Sequence, residues 1–248
     1  MTAVWTRLAL AAALAGLLPA ASQAATAARP QRLEIKGKTI VLPPPAGMTS
    51  VLGIDQHLDG FQRAAVPERN ELHACFVPDS EVAEYRRSTA GATTSGVSAA
   101  FQSPRHAPAD DSAVRKLFVE LRRDLPQQLE AQFRNLPTRT REVVARASKS
   151  VSALAGKRID LEVGKVAPMG IVRNDERSVA WLTVMRVATT SEGKRDTSTV
   201  VVGAALVNLR DRVTFLYYSA RSDRLDRTVN LVRPRLLAWA DDCLRANR

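Results

Sequence analysis

The sequence predicts an α+β protein in which an antiparallel β-meander is packed by helices, with a central helical insertion before the meander. Three observations lead to this fold class. The last third of the chain alternates β-like segments with short polar turns, which favours antiparallel pairing of neighbouring strands. The middle and the C-terminus instead carry apolar residues at steps of three and four, which is the helical period. The 248 residues are enough for one domain with a substantial core, even after loss of an N-terminal signal.

Residues 1–24 have the three parts of a secretory signal peptide. Arg7 precedes an apolar run from Leu8 to Leu18, and the small residues of Ser22–Ala24 suit signal peptidase. The run is shorter than the ~20 apolar residues that span a bilayer. We therefore expect cleavage after Ala24, a periplasmic or secreted location, and a mature chain that does not span the membrane.

Residues 25–248 are expected to form a single α+β domain. Its first elements are a hairpin in the sequence RLEIKGKTIVL and a short helix that ends by Pro67. The stretch NELHACFVP (70–78) is β-like, and Asp79 or Ser80 can cap the helix that follows it.

The rest of this domain divides by composition into four segments. Residues 88–111 are rich in Ser, Thr, Ala, Gly and Pro, which predicts a flexible connector. Residues 112–156 carry apolar stripes at the helical period, which predicts the helical insertion. Residues 157–220 predict the β-meander, and residues 222–247 predict a C-terminal helix that Pro234 either begins or kinks.

The net charge of +11 comes mainly from arginine, which supplies 29 of the 36 basic residues. These arginines are scattered among acidic residues. Because aromatic residues are only 5% of the chain and no nucleic-acid-binding motif is recognisable, nucleic acid is not expected as a partner. The charge indicates either a solvated, arginine-rich surface or attraction to an anionic envelope component or an acidic protein.

His73 and Cys75 lie two residues apart in NELHACFVP and are the first candidates for a nucleophilic site. In a regular strand they point to the same face with their Cα atoms about 6.6 Å apart, which is too far for a short hydrogen bond between parallel side chains. Pro78 has no N–H to contribute to an oxyanion hole. We therefore assign no catalytic residue and expect His73 to be structural.

The two cysteines allow a single intramolecular disulfide, Cys75–Cys243, which suits an oxidising compartment. Cys243 lies on the apolar stripe of the C-terminal helix, which is expected to face the sheet. A bridge requires the two Cα atoms to lie about 4.4–6.8 Å apart. The alternative is a pair of unrelated buried thiols that act as small apolar side chains. The sequence leaves both interpretations open.

The remaining candidate patterns do not indicate a metal, a cofactor or a serine nucleophile. Asp55, His57 and Asp59 are close in sequence, but the chain has no HExxH or CxxC pattern. Ser98 does not stand in a GxSxG elbow, and His106 lies in the predicted connector. We therefore assign no metal ligand and no cofactor.

Several stretches together resemble a group of uncharacterised exported proteins of proteobacteria. They are LPPPAGM, NELHACFVP and GAALVNLRDRVTFLYYSA, followed by a helix that ends in LRAN. The strands and final helix of residues 158–247 are also similar to the Mog1, PsbP and DcrB group of α/β/α sandwich proteins. That second resemblance implies a small accessory or binding protein, although the long helical insertion departs from its pattern.

The expected function is therefore that of an exported, non-catalytic binding or accessory protein of the cell envelope. One alternative is an envelope hydrolase with a noncontiguous site, which requires a pocket where His57 or His73 meets a nucleophile or several carboxylates. The other is a subunit of an envelope assembly, which requires an exposed apolar patch of more than a few hundred Å².

Overall fold

The computed structural model describes residues 29–87, 95–134 and 136–248. The predicted signal peptide at 1–24 and part of the predicted connector lie outside these ranges. No helix within them is long and apolar enough to cross a membrane. The elements in chain order are β1 Gln31–Ile35, β2 Lys38–Leu42, β3 Met48–Ser50, α1 Gln56–Ala64, β4 Asn70–Pro78, α2 Val82–Arg87, β5 Ser98–Pro104, α3 Asp111–Arg134, α4 Leu136–Ala155, β6 Ile159–Asn174, β7 Ser178–Ser191, β8 Lys194–Asn208, β9 Val213–Ser222 and α5 Leu225–Ala246.

The predicted α+β class with an antiparallel meander is confirmed. Seven strands form one sheet in the order β3-β4-β5-β9-β8-β7-β6, and β1 pairs with β2 in a separate hairpin. All neighbouring strands run antiparallel. The strands β6 to β9 follow one another in space as they do in sequence, because short turns connect them.

Helices cover both faces of the sheet. On β8, Val200 and Val202 pack toward α1, α3 and α4, while Val201 and Ala205 pack toward α5 and the β1–β2 hairpin. This alternation follows from the two-residue period of a strand. We call these two sides the three-helix face and the α5 face. The predicted helical insertion is therefore one layer of a common core.

The C-terminal helix α5 is held by its apolar stripe and by two polar contacts to the hairpin. Val232, Leu236 and Trp239 are buried against the α5 face. The indole Nε1 of Trp239 donates to the carbonyl of Pro43 at 2.8 Å, and Asn247 accepts a hydrogen bond of 2.8 Å from the Val41 amide. Pro234 lies inside this helix on its exposed side.

The prediction of a flexible connector over 88–111 is wrong for residues 98–104. This segment is strand β5, which is buried and pairs with β4 on one side and β9 on the other. Its composition is typical of a connector because it contains small side chains such as Ala99 and Ala100. In the structure their small volume lets larger neighbours on β4 and β9 close over both faces of the strand.

Candidate functional site

Five exposed cationic side chains gather at one end of the sheet, and we call this group the basic end: Lys36, Arg63, Arg69, Arg105 and Arg210. They come from the β1–β2 turn, α1, the residue before β4, the residue after β5 and the β8–β9 turn. Antiparallel pairing places Arg69, Arg105 and Arg210 at the same end of the sheet. Hydrogen bonds to the backbone bring Lys36 of the separate hairpin and Arg63 of α1 to this end.

Backbone hydrogen bonds hold three of these cations close to one another. The amide of Arg105 donates to the carbonyl of Arg69 at 2.7 Å. The Arg105 guanidinium donates to the Asn70 carbonyl at 2.9 Å, and Lys36 Nζ donates to the Arg105 carbonyl at 2.8 Å. These bonds therefore fix the backbone positions of Arg69 and Arg105 side by side and hold the Lys36 ammonium next to them.

The other two cations also donate to backbone oxygens. Arg63 donates to the Leu72 carbonyl at 3.3 Å, and Arg210 donates to the Thr39 carbonyl at 3.0 Å. In the part of the chain that the structure describes, no ion pair joins any of the five to a carboxylate. Their positive charge is therefore available to an anion from outside.

Arg210 lies in the two-residue turn between β8 and β9. Leu209 and Arg212 exchange two backbone hydrogen bonds of 3.0 and 2.9 Å, and Arg210 and Asp211 between them have φ of 51° and 58°. Positive φ at both central residues is the signature of the type I′ hairpin turn, whose twist matches that of the flanking strands.

The buried Arg212 connects the turn that carries Lys36 to neighbouring elements. Arg212 is only 4% exposed, and its guanidinium donates to the Lys36 carbonyl at 2.8 Å and to the Asp111 carboxylate at 2.9 Å. Hydrogen bonds from Lys38 and then from Arg212 lower the pKa of Asp111. This network ties the β1–β2 turn to the β8–β9 turn and to the start of α3.

His73 lies next to this surface as a neutral, structural side chain. Its Nε2 shares a hydrogen bond of 2.7 Å with the Ser103 hydroxyl, and its ring centroid lies 5.9 Å from that of Phe101. Burial lowers the pKa of His73, and the charges of Arg63 and Arg105 lower it further against an opposing effect of Glu71. Because Ser103 is only 3% exposed, its hydroxyl is closed to a substrate.

The expectation that His73 and Cys75 share a face is wrong. The β4–β5 register shifts between Leu72 and Ala74, and such a bulge breaks the alternation of side chains. His73 turns to the α5 face with Phe101, whereas Cys75 packs on the three-helix face with its cross-strand partner Ala100. Burial raises the pKa of the Cys75 thiol to about 12, so neither geometry nor ionisation suits a nucleophile.

The proposed Cys75–Cys243 bridge is absent from the structure, in which both cysteines are free and buried. The physical reason is their placement: Cys75 lies on the three-helix face, and Cys243 lies on α5 against the opposite face. The sheet itself separates the two thiols. Burial also raises the pKa of Cys243.

The aspartates around position 57 serve as local caps. The Asp55 carboxylate accepts a hydrogen bond of 3.0 Å from the Leu58 amide, and Asp59 accepts one of 2.9 Å from the Gly53 amide. Both carboxylates therefore stabilise the start of α1. Among the described residues, no three His, Cys, Asp or Glu side chains form a group that could hold a metal ion.

Two of the cavities that the described residues line lie away from the basic end. The larger, of about 680 Å³, lies between α4 and the start of β6. There Ser148 and Ser152 accept hydrogen bonds of 2.9 and 2.8 Å from the amides of Leu161 and Ile159, which closes part of the outer edge of β6. The smaller, of about 450 Å³, lies at the end of the sheet opposite the basic end. Neither lining contains a histidine or a cysteine.

The basic end could not be predicted from the sequence, because its members are isolated arginines and a lysine far apart in the chain. Arg105 stands in the segment predicted as a connector, and Arg63 stands in a short helix. The one local signal was the pair of turns, since Lys36 and Arg210 each occupy a hairpin turn of the predicted β segments.

Comparison with known proteins finds only distant structural similarity. No protein-family model matches the chain, and no curated protein matches it. The Ran-binding protein Mog1p of Saccharomyces cerevisiae has 15% sequence identity and a TM-score of 0.31 over 88% of this chain and 92% of that chain. A point mutant of Mog1 has the same identity and TM-score over 88% of this chain and 93% of that chain. The membership of an exported proteobacterial family stays a prediction.

Proposed function

We propose that this protein is an exported, non-catalytic accessory protein that binds an anionic component of the cell envelope through the basic end. The observation that carries the proposal is the group of five exposed cations without a carboxylate partner in the described ranges. Export rests on the signal pattern of residues 1–24.

The chemistry of the site favours anionic lipid headgroups as the partner. The five cations are spread over an exposed edge and do not line an enclosed pocket, which suits a surface of repeated charges. Each Lys or Arg near an anionic membrane contributes about 1 kcal/mol of attraction. Salt weakens such attraction, because the Debye length is about 10 Å at 0.1 M ionic strength.

The two alternatives have weaker support. For a hydrolase, the best histidine contact is the one between His73 and the buried Ser103 hydroxyl. For an assembly subunit, the large apolar side chains that are exposed among the described residues are Val119, Met169 and Leu225, which stand on three different elements. They do not provide the contiguous patch that an obligate interface needs.

Vesicle co-sedimentation of the mature chain tests the proposal. The protein should bind phosphatidylglycerol vesicles, bind phosphatidylcholine vesicles weakly, and release from the former as salt is raised. Exchange of Arg69 and Arg210 for Gln should weaken binding by about thirtyfold, which corresponds to two lost charges. The matched control exchanges Arg227 and Arg233 on α5, which are exposed and remote from the basic end.

Two outcomes count against this function, and a third would change the partner. Equal loss of binding in both double variants would mean that net charge alone, and not the basic end, drives the association. Binding that does not change with salt would remove electrostatics as the cause. Capture of an acidic envelope protein by the basic end, with no vesicle binding, would replace lipid by protein as the partner.

A further inference from the structure

A half-buried histidine stands beside two cations of the basic end. Arg63 donates to the carbonyl of Leu72 at 3.3 Å, and Leu72 directly precedes His73 in β4. Arg105 donates to the carbonyl of Asn70 in the same strand at 2.9 Å. The charges of both arginines act on the His73 ring. The histidine therefore belongs to the same group of side chains as the cations that carry the proposed binding surface.

The surroundings of His73 allow its ring to hold a second proton. Its Nε2 lies 2.7 Å from the Ser103 hydroxyl, which can donate to a neutral ring nitrogen or accept from a protonated one. A rotation of that hydroxyl keeps the hydrogen bond in both states. The opposite charge of Glu71, on the same strand, favours the protonated ring. The ring of Phe101 on β5 adds an uncharged neighbour.

The same two arginines link the charge of His73 to the binding of an anion. Burial first, and then the charges of Arg63 and Arg105, lower the pKa of His73, so the ring is neutral at neutral pH in the unbound protein. An anionic surface at the basic end offsets the field of both arginines and attracts the protonated ring directly. By linkage, a ligand that makes protonation easier is itself bound more tightly when the proton is present.

We propose that His73 acts as a pH-dependent sixth cation of the basic end, which strengthens its binding to anionic lipid headgroups in mildly acidic solution. This inference rests on the proposed function and adds a regulation of the same site. Binding tightens as the pH falls, because the bound protein takes up a proton that the unbound protein holds less firmly. One additional cation near an anionic membrane corresponds to about fivefold in affinity.

A protein with a single histidine tests this regulation. The chain contains three histidines, so exchange of His57 and His106 for Gln leaves His73 alone. The matched comparison adds His73→Gln, whose amide is also able to hydrogen-bond the Ser103 hydroxyl. Co-sedimentation of both mature chains with phosphatidylglycerol vesicles is measured at about pH 7.5 and about pH 5, on either side of the ordinary pKa of histidine. The affinity of the single-histidine protein should rise about fivefold more than that of the histidine-free protein, which corrects for the carboxylates that lose charge over the same range.

NMR titration of the His73 ring gives a second measurement that leaves this residue unchanged and decides the matter if His73→Gln does not fold. In the single-histidine protein, phosphatidylglycerol bicelles should raise the pKa of His73, and phosphatidylcholine bicelles should not. An equal response of vesicle binding to pH in the two proteins, or a pKa of His73 that does not rise with phosphatidylglycerol, would overturn this inference and leave the proposed function standing. Absence of vesicle binding by either protein at both pH values would overturn the proposed function as well.

Discussion

Exchange of Gly203 for alanine should destabilise the protein by forcing α5 away from the sheet. Gly203 lies on β8 beneath the helix, and a Cβ added there would stand 2.9 Å from Leu236 Cδ2, 3.0 Å from Val232 Cγ1 and 3.2 Å from Leu182 Cδ2. Carbon atoms pack favourably at about 3.5–4.0 Å. Three methyl groups must therefore retreat, and two of them belong to the helix.

The magnitude follows from two opposing effects. A methyl group inserted into a packed core costs typically about 1–3 kcal/mol. Alanine also has less conformational entropy than glycine in the unfolded chain, which stabilises the folded state by about 0.4–1 kcal/mol and offsets part of this cost. We therefore expect a net loss of roughly 1–2 kcal/mol in the free energy of unfolding, which lowers the Tm of a chain this long by about 3–6 °C.

Urea and thermal unfolding followed by circular dichroism measure this change. Gly60→Ala is the matched control with the opposite sign: Gly60 lies within α1, and its added Cβ would meet nothing within 4 Å. It should stabilise the protein by about 1 kcal/mol. In a double-mutant cycle, Leu236→Ala should reduce the cost of Gly203→Ala, because it removes the nearest of the three contacts and leaves those with Val232 and Leu182. A Gly203→Ala protein as stable as the wild type would refute the close approach of α5 to β8.

Two further predictions concern the thiols and an ion pair. Mass spectrometry of the unreduced mature protein should find two free thiols at Cys75 and Cys243, both slow to alkylate near about pH 8 because burial raises their pKa values; a mass lower by two hydrogens would establish a bridge. Lys38 and Arg212 lower the pKa of Asp111, so its stabilisation is present above the unfolded value and is lost as the pH falls through the lower folded value. The difference in urea midpoint between the wild type and Asp111→Asn should therefore be largest at neutral pH and shrink below about pH 4, and a difference that does not change with pH would contradict the ion pair.

The fold class could be predicted because the strongest patterns in the sequence are local. The apolar residues of α5, such as Val232, Leu236 and Trp239, recur at the helical period and are buried as that period predicts. The strands β6 to β9 are joined by short turns, which leave antiparallel pairing as the simple arrangement. Both signals depend only on residues a few positions apart.

The features that could not be predicted depend on contacts between residues far apart in the sequence. Strand β5 is built from small residues and becomes a central strand only because β4 and β9 pair with it. The bulge at His73 is a property of the β4–β5 register, so no spacing within NELHACFVP reveals it. The basic end likewise depends on tertiary packing. Lys36 reaches the Arg105 carbonyl because the separate β1–β2 hairpin packs at this end of the sheet, and nothing near either residue in the sequence indicates the other.

The pairing of β5 with β9 sets the order in which the strands of the large sheet can come together. Ser98 and Ser219, which hydrogen-bond across this pair, are 121 residues apart, and β9 is the last strand of the described sheet. Strand β5 therefore stays without one of its two neighbours until β9 is available, and such long-range closure slows folding.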